Sequence, residues 1–481
     1  MKKVNKKLAS AIVLGLLMAM PFGASASDET GKVSIDTNGN ALTQEKIAEL
    51  KGKDVTFTNT AETGQIFASV TKDSNVTVEA NTIQLDGAWA NNAFYASNGG
   101  TLTINAGKIE TISDKGADCN LLQVWEGTMN INADEFVAHD VYTGLYAQKT
   151  GTNTGDSNLN FNGGILDIEA GSAITAVDYL ANKNSDSEIK INVNADTVKL
   201  VGTDGYGIRA HSTDTNYKWD DENSEWIFNY TDQNAGTAKV NVIAKNSVYI
   251  EGSKGAIYVV NGLENNNSEA IVKAKDITIK GDIYADTNAK VEIGGDYDGI
   301  EFNKADITGN ITAIDSDVNV HLGNGGTLTG SIATSGTSLV QSSENTDQSF
   351  LDDTASAKGV NLDMGNGSTW NVTGDSEVSK VTGIGTIAMD VSDTENVDKV
   401  KVGSSEGASL TVAAQQNADH VKSSEEAVKA MAAATTGISE GTIYKVNEGI
   451  LMGGSSAVMG ENGIGAIKTD ESTSTMGNMK S

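Results

Sequence analysis

After Pro21 the chain contains no proline. Proline cannot donate to a β ladder and is kept out of central strands. Its absence from a chain of 481 residues suits continuous β pairing and excludes a proline-rich linker architecture. Cysteine is reduced to Cys119, so no internal disulfide staples the fold and the thiol reads as a small buried side chain. Arginine is reduced to Arg209, which excludes a guanidinium cluster for clamping phosphate or sulfate. Aromatic residues make up only 5% of the chain, as expected where a narrow interior is filled by aliphatic ladders. Beyond the first residues no apolar run approaches the roughly 20 residues a membrane-spanning helix needs.

Those first residues read as an export signal. Lys2, Lys3, Lys6 and Lys7 form a basic start, Leu8 to Met20 a short apolar run, and Ala24 to Ala26 a small-residue cleavage site before Ser27. The remainder is strongly acidic: the whole chain carries 64 Asp and Glu against 34 Lys and Arg, for a net charge of −30. Nucleic acid and anionic lipid surfaces are repelled by such a chain.

What is present is repetition. Five segments share alternating apolar residues, an Ala, a polar residue, further alternation and a turn: "VTVEANTIQLDG" (76–87), "MNINADEFVAHD" (129–140), "INVNADTVKLVG" (191–202), "VNVIAKNSVYIEG" (240–252) and "AIVKAKDITIKG" (270–281). A third short strand follows each: "NAFYAS", "GLYAQ", "YGIRA", "GAIYVV" and "DIYAD". "ITGNITAID" (307–315) and "LTGSIATSG" (328–336) repeat the logic of "ITIKGDIYADT" (277–287). A hairpin would pair consecutive strands across a tight turn. Here each copy matches its counterpart in the next copy, and no helical crossover lies between them. The expectation is an all-β fold, a right-handed parallel β-helix with apolar columns inside. About 14 to 18 coils of about 21 to 28 residues would form a rod of about 70–85 Å at a strand spacing of about 4.8 Å.

The ends depart from the repeat, as capping requires. "ALTQEKIAELKG" (41–52) and "SSEEAVKAMAAAT" (423–435) are expected short capping helices, the second with a Ser423/Glu426 capping-box spacing. Beyond about Gly437 the chain is rich in Gly, Ser and Met and is expected to be a linker or disordered tail.

The segment "MGNGSTWNVTGDSEVSKVTGIGTIAMD" (364–390) resembles the C-terminal end of a bacterial autotransporter passenger, with Trp370, Val372, Gly374, Ser376 and Val378 in matching places and Val381 where a Leu is usual. The "GDIYA…GNITA…GSIAT" repeats look like the same family. The resemblance covers most of residues 28–450. It implies a signal peptide at 1–26, an N-terminal cap at 27–60, a β-solenoid passenger at 61–345, autochaperone-like last rungs at 346–420, and a helix and linker at 421–481. It also implies display at the cell surface or outer membrane through a C-terminal barrel. Residues 421–481 are too few for the eight or more strands of such a barrel, so the barrel is expected as a separate chain or beyond a truncated reading frame.

Candidate chemistry is sparse. "YKWDDENSEWIFNY" (217–230) concentrates five aromatics. Tyr217 and Trp219 share one strand face, and Trp226, Phe228 and Tyr230 share a face of another, across a "DDENS" turn. This is the expected glycan contact, since aromatic faces beside carboxylates suit sugar stacking. The plainer reading packs these rings on the rod itself. Asp296/Asp298, Asp315/Asp317 and Asp220/Asp221/Glu222 could hold Ca²⁺ or act in glycoside hydrolysis, or be acidic solvent-facing turns. His139, His211, His321 and His420 have no metal-ligand spacing. No catalytic residue, metal site or cofactor is assigned. The expectation is an exported structural or adhesive protein. Its partners would be host or matrix glycans and proteins and a separate outer-membrane barrel, with self-association open and no nucleic acid. The competing reading is a β-helix enzyme acting on polysaccharide as hydrolase or lyase.

Overall fold

The structure, a computed structural model, describes residues 31–415 apart from positions 39 and 73 and the segments 60–66, 88–91, 113–118, 150–154, 179–187, 213–216, 221–224, 229–236, 262–266, 335–357, 391–398 and 405–409. It also describes short strands at 26–27, 443–445, 456–460 and 463–466. The described residues are almost wholly β, as the alternation requires, with one α-helix at Gln44–Ala48.

Pairing is parallel and in register between successive copies. Val76 lies beside Leu102, then follow Met129, Leu159, Ile191, Val240, Ala270, Val291, Val318 and Val360. Two residues on, a second column runs Val78, Ile104, Ile131, Phe161, Val193, Val242, Val272, Ile293, Val320, Leu362 and Val381. The third short strands stack likewise: Phe94, Leu122, Leu145, Ile174, Ile208, Ile257, Ile283, Ile311 and Ile332. These side chains are buried, most of them completely.

The sequence motif explains each bend. In Glu188–Gly202 the buried residues alternate through Ile189, Ile191, Val193 and Ala195. Asp196 and Thr197 then both face outward, and burial resumes at Val198 and Leu200. The small Ala and two consecutive outward residues turn the strand at a local interruption of the ladder, after which pairing resumes at Thr197. Glycine is required at another corner. A Cβ on Gly309 (φ 147°) would fall 2.3 Å from the Gly281 carbonyl oxygen, and one on Gly330 would fall 2.0 Å from that of Gly309. Backbone stacks directly on backbone there, so a side chain has no room.

Trp370 sits wholly buried in the column Ile307, Leu328, Trp370, Ile387, and its Nε1 donates to the Gly330 carbonyl at 3.0 Å. Cys119 is buried. Truncating a buried aliphatic side chain in such a core costs about 2–5 kcal/mol, because a cavity is added to the lost transfer energy.

Several expectations need adjustment. The parallel stack begins inside the expected cap: Lys32–Asp36 pairs with Asp54–Asn59, which pairs with Asn75–Gly87. "VSIDT" and "VTFTN" already alternate. The cap itself is the helix, where the Thr43 side chain accepts the Lys46 N–H and Ile47 is buried. "GLYAQ" is not a separate strand but the end of Thr128–Lys149. The expected disordered tail is corrected in part. Ile443–Lys445 pairs antiparallel with Lys399–Ser404, and Ser456–Gly460 with Leu410–Gln415, so these strands cover edges that would otherwise stay open. The expected helix at 423–435 and residues 1–25 lie outside the described residues. No described helix is long and apolar enough to cross a membrane.

Candidate functional site

The aromatic segment forms a two-stranded antiparallel sheet of its own, Tyr217–Asp220 with Glu225–Phe228. Tyr217 lies opposite Phe228 and Trp219 opposite Trp226. Directly opposed residues share a face of an antiparallel pair, so the register sets these four positions on one common face. Tyr230, Asp221 and Glu222 lie outside the described residues.

The hairpin leaves the stack at Ser212, beside a stripe the sequence reading passed over. Outward positions of the third strands carry Tyr206, Arg209, Tyr258 and Tyr284. Tyr206 and Tyr258 have ring centroids 4.7 Å apart, and Tyr258 stacks on Tyr284 at 5.6 Å. Arg209 Cζ lies 6.0 Å from the Tyr206 ring centroid, and its Nη2 is 3.1 Å from His211 Nδ1. Burial, and then the adjacent Arg209 charge, push the His211 imidazole down to about 3. Burial, with Tyr206 alongside, pushes the Tyr258 phenol up to about 12. An imidazole that weak is a poor proton acceptor near neutral pH. The stripe's sequence signal was the repeated outward residue after the third-strand Ile: "IRA", "IYV", "IYA".

A second outer face carries asparagine ladders. One column runs Asn130, Asn160, Asn192, Asn241. Each Nδ2 donates to the Oδ1 of the preceding copy: Asn160 to Asn130 at 3.0 Å, Asn192 to Asn160 and Asn241 to Asn192 at 2.9 Å. The neighbouring column bonds Asn132 to Asn105 at 2.8 Å and Asn194 to Asn162 at 3.3 Å. Asn130, Asn160, Asn162, Asn192, Asn194 and Asn241 floor a groove of about 430 Å³, walled by Ile243, Ile271 and Tyr297. In the next copy the Asn241 position becomes Ile271, which offers no donor, and Asn241 Oδ1 is buried without a hydrogen bond.

Farther along the same face the columns turn ionic. Asn361 donates to Asn319 at 2.9 Å, but His321 Nδ1 meets Asp363 Oδ2 at 3.1 Å and Lys380 follows Asn361 in register. A groove of about 420 Å³ lies among them. Between the two stretches, buried Lys273 bonds Glu292 and the Gly294 carbonyl, each at 2.5 Å. Burial raises the Glu292 carboxyl, but Lys273, Lys290 and His321 outweigh it and hold it below the ordinary value.

Of the paired acids, Asp298 and Asp315 lie in turns or bends, while Asp317 opens the strand Asp317–Gly323 and Asp220 ends the strand Tyr217–Asp220. Exposed Asp296 accepts the Phe302 N–H at 2.9 Å, and Asp315 pairs with Lys358 at 3.1 Å. Among the described residues no three His, Cys, Asp or Glu side chains converge as metal ligands would. No protein-family profile, curated protein or solved structure matches the chain.

Proposed function

We propose that the chain is an exported right-handed parallel β-helix, the passenger part of an autotransporter-like protein, with a structural or adhesive role at the cell surface. The observation that carries the reading is the serial pairing. Each strand takes its equivalent in the next copy as partner, from Asp54–Asn59 onward to Ser376–Asp390, and among the described residues no pairing returns from the last copy to the first. An open succession of this kind winds onward. Its longest paired column, fourteen residues from Ser34 through Thr278 to Thr411, at about 4.8 Å per strand corresponds to a rod of about 62 Å.

The adhesive role is favoured over a polysaccharide-cleaving one by the character of the outer faces. They present ladders, stacked rings and ion pairs, and the imidazole closest to an arginine is held neutral. Two measurements test the reading together. A glycan array and a reducing-sugar assay are run on the secreted chain, with solution scattering for shape. The expected result is an elongated envelope, retention of at least one glycan class and no sugar release. Turnover would reject the adhesive role, and a compact envelope would reject the β-helix. Trp219→Ala combined with Trp226→Ala tests whether the hairpin contributes, by loss of retention.

A further inference from the structure

We infer that the asparagine groove binds an uncharged, extended polysaccharide lying along the ladder. The inference rests on the adhesive reading above and assigns it a site and a ligand class.

Charge is the first argument. Apart from the Tyr297 phenol, no residue lining the groove is ionisable, although the whole chain carries −30. An anionic chain would enter against the overall field, and a cationic one would find no carboxylate on the groove floor. A neutral, hydroxyl-rich ligand meets neither obstacle.

Hydrogen-bond inventory is the second. An asparagine amide has two N–H donors and an oxygen with two lone pairs. Within the ladder each linkage uses one N–H of one residue and one lone pair of the other. One N–H of each amide lies outside these linkages, as does a second lone pair on Asn130, Asn160 and Asn192, repeating at the strand spacing of about 4.8 Å, whereas the Asn241 oxygen is buried and offers none. That repeat is close to the length of one pyranose unit in an extended glycan. A hydroxyl both donates and accepts, so it can serve both groups, whereas phosphate and carboxylate only accept. The amides are also held in place by one another, so little side-chain freedom is lost when a ligand lands.

The end wall is the third. Tyr297 is 41% exposed on a turn closed by reciprocal backbone bonds with Ile300 at 3.1 and 2.7 Å. Such a ring offers an apolar face for a sugar and a hydroxyl at its tip. The groove volume of about 430 Å³ falls in the usual range for ligand sites.

The test uses the full secreted chain and calorimetric titration with cellohexaose, maltohexaose and chitohexaose, against oligogalacturonate as the charged control. Binding of at least one neutral hexasaccharide, and none of oligogalacturonate, is expected. N160D with N192D keeps shape but places charge on the floor, and should weaken binding at least tenfold. Tyr297→Ala should weaken it about threefold or more, with an unchanged melting profile by circular dichroism. If the neutral sugars do not bind, or bind equally well to the N160D/N192D variant, the inference is overturned. If glycan retention is lost only with the Trp219/Trp226 variant, the groove assignment fails while the adhesive reading stands. If nothing on the array is retained, both fail. A dimer by light scattering that dissolves in the N160D/N192D variant would overturn the ligand assignment, making the ladder a contact between two copies.

Discussion

Two stretches of one outer face share a backbone and differ in chemistry. From Asn105 to Ile243 the outward columns are amide on amide, and the groove is neutral. From Asn319 to Thr382 the same columns hold His321, Asp363 and Lys380 around a groove of nearly equal size. The inward columns beneath them do not change character: Phe161 and Val193 under the first, Val320 and Leu362 under the second. The interior therefore carries the apolar stacking, while the outward residues above it change chemistry from one stretch to the next.

The comparison can be broken from inside. Phe161→Ala removes a fully buried ring beneath the amide stretch and should cost about 3–5 kcal/mol. Stability in stacked repeats is mainly a sum of nearest-neighbour terms. Hydrogen exchange should therefore quicken around Thr128–Gly202 and change little around Gly359–Asp390. A uniform loss of protection would show that the stretches are not energetically separable.

Acid probes the third-strand stripe and the ion pairs lying between the two stretches. His211 has its imidazole lowered from 6.5 to about 3 in the folded chain, so the unfolded chain binds the proton first. Its contribution is complete above pH 6.5 and shrinks as pH falls towards 3, with a slope of up to about 1.4 kcal/mol per pH unit. Glu292 is lowered from 4.5, so its contribution is complete above that value and is lost only as pH falls through the lower folded one. Denaturation midpoints between pH 7 and 5 should fall in the native chain and fall less in His211→Gln. Equal slopes would remove His211 as the cause.

The smallest effect sharpens the boundary between the stretches. Ile271→Asn supplies the donor that Asn241 Oδ1 lacks and should extend the ladder by one copy. A net gain of about 0.5–1.5 kcal/mol is expected from the new bond, reduced by the lost apolar contact. A lower melting midpoint would show that the apolar wall matters more than the missing donor.

Much of the fold was legible in the residues. Alternation, the Ala and the following polar pair marked the strands and their bends, and Gly309 to Gly330 gave one copy length, matched by Ile311 beside Ile332. Within 61–345 two copies escaped notice, Thr101–Thr111 and Ser157–Asp178, besides Lys32–Asp36 and Asp54–Asn59 in the expected cap. In Ser157–Asp178, Gly163-Gly164 stands where the other copies have Ala and a polar residue, so the motif is hidden although the backbone path is kept. The asparagine ladder was also missed. Its members are 30, 32 and 49 residues apart, the last step lengthened by the aromatic hairpin. Only register, which unequal connecting segments conceal, brings them together. The hairpin was visible because its signal is local, but the common face of Trp219 and Trp226 needed the pairing itself.

The amide bonds have one further property. Asn132, Asn160, Asn192, Asn194, Asn241 and Asn361 all donate back towards the preceding copy. The side-chain dipoles are thus aligned head to tail, each polarising the next. The surface has a sense of direction, like an arrow drawn from Asn241 to Asn130. A linear molecule whose two termini differ would find the two ways of lying on it unequal.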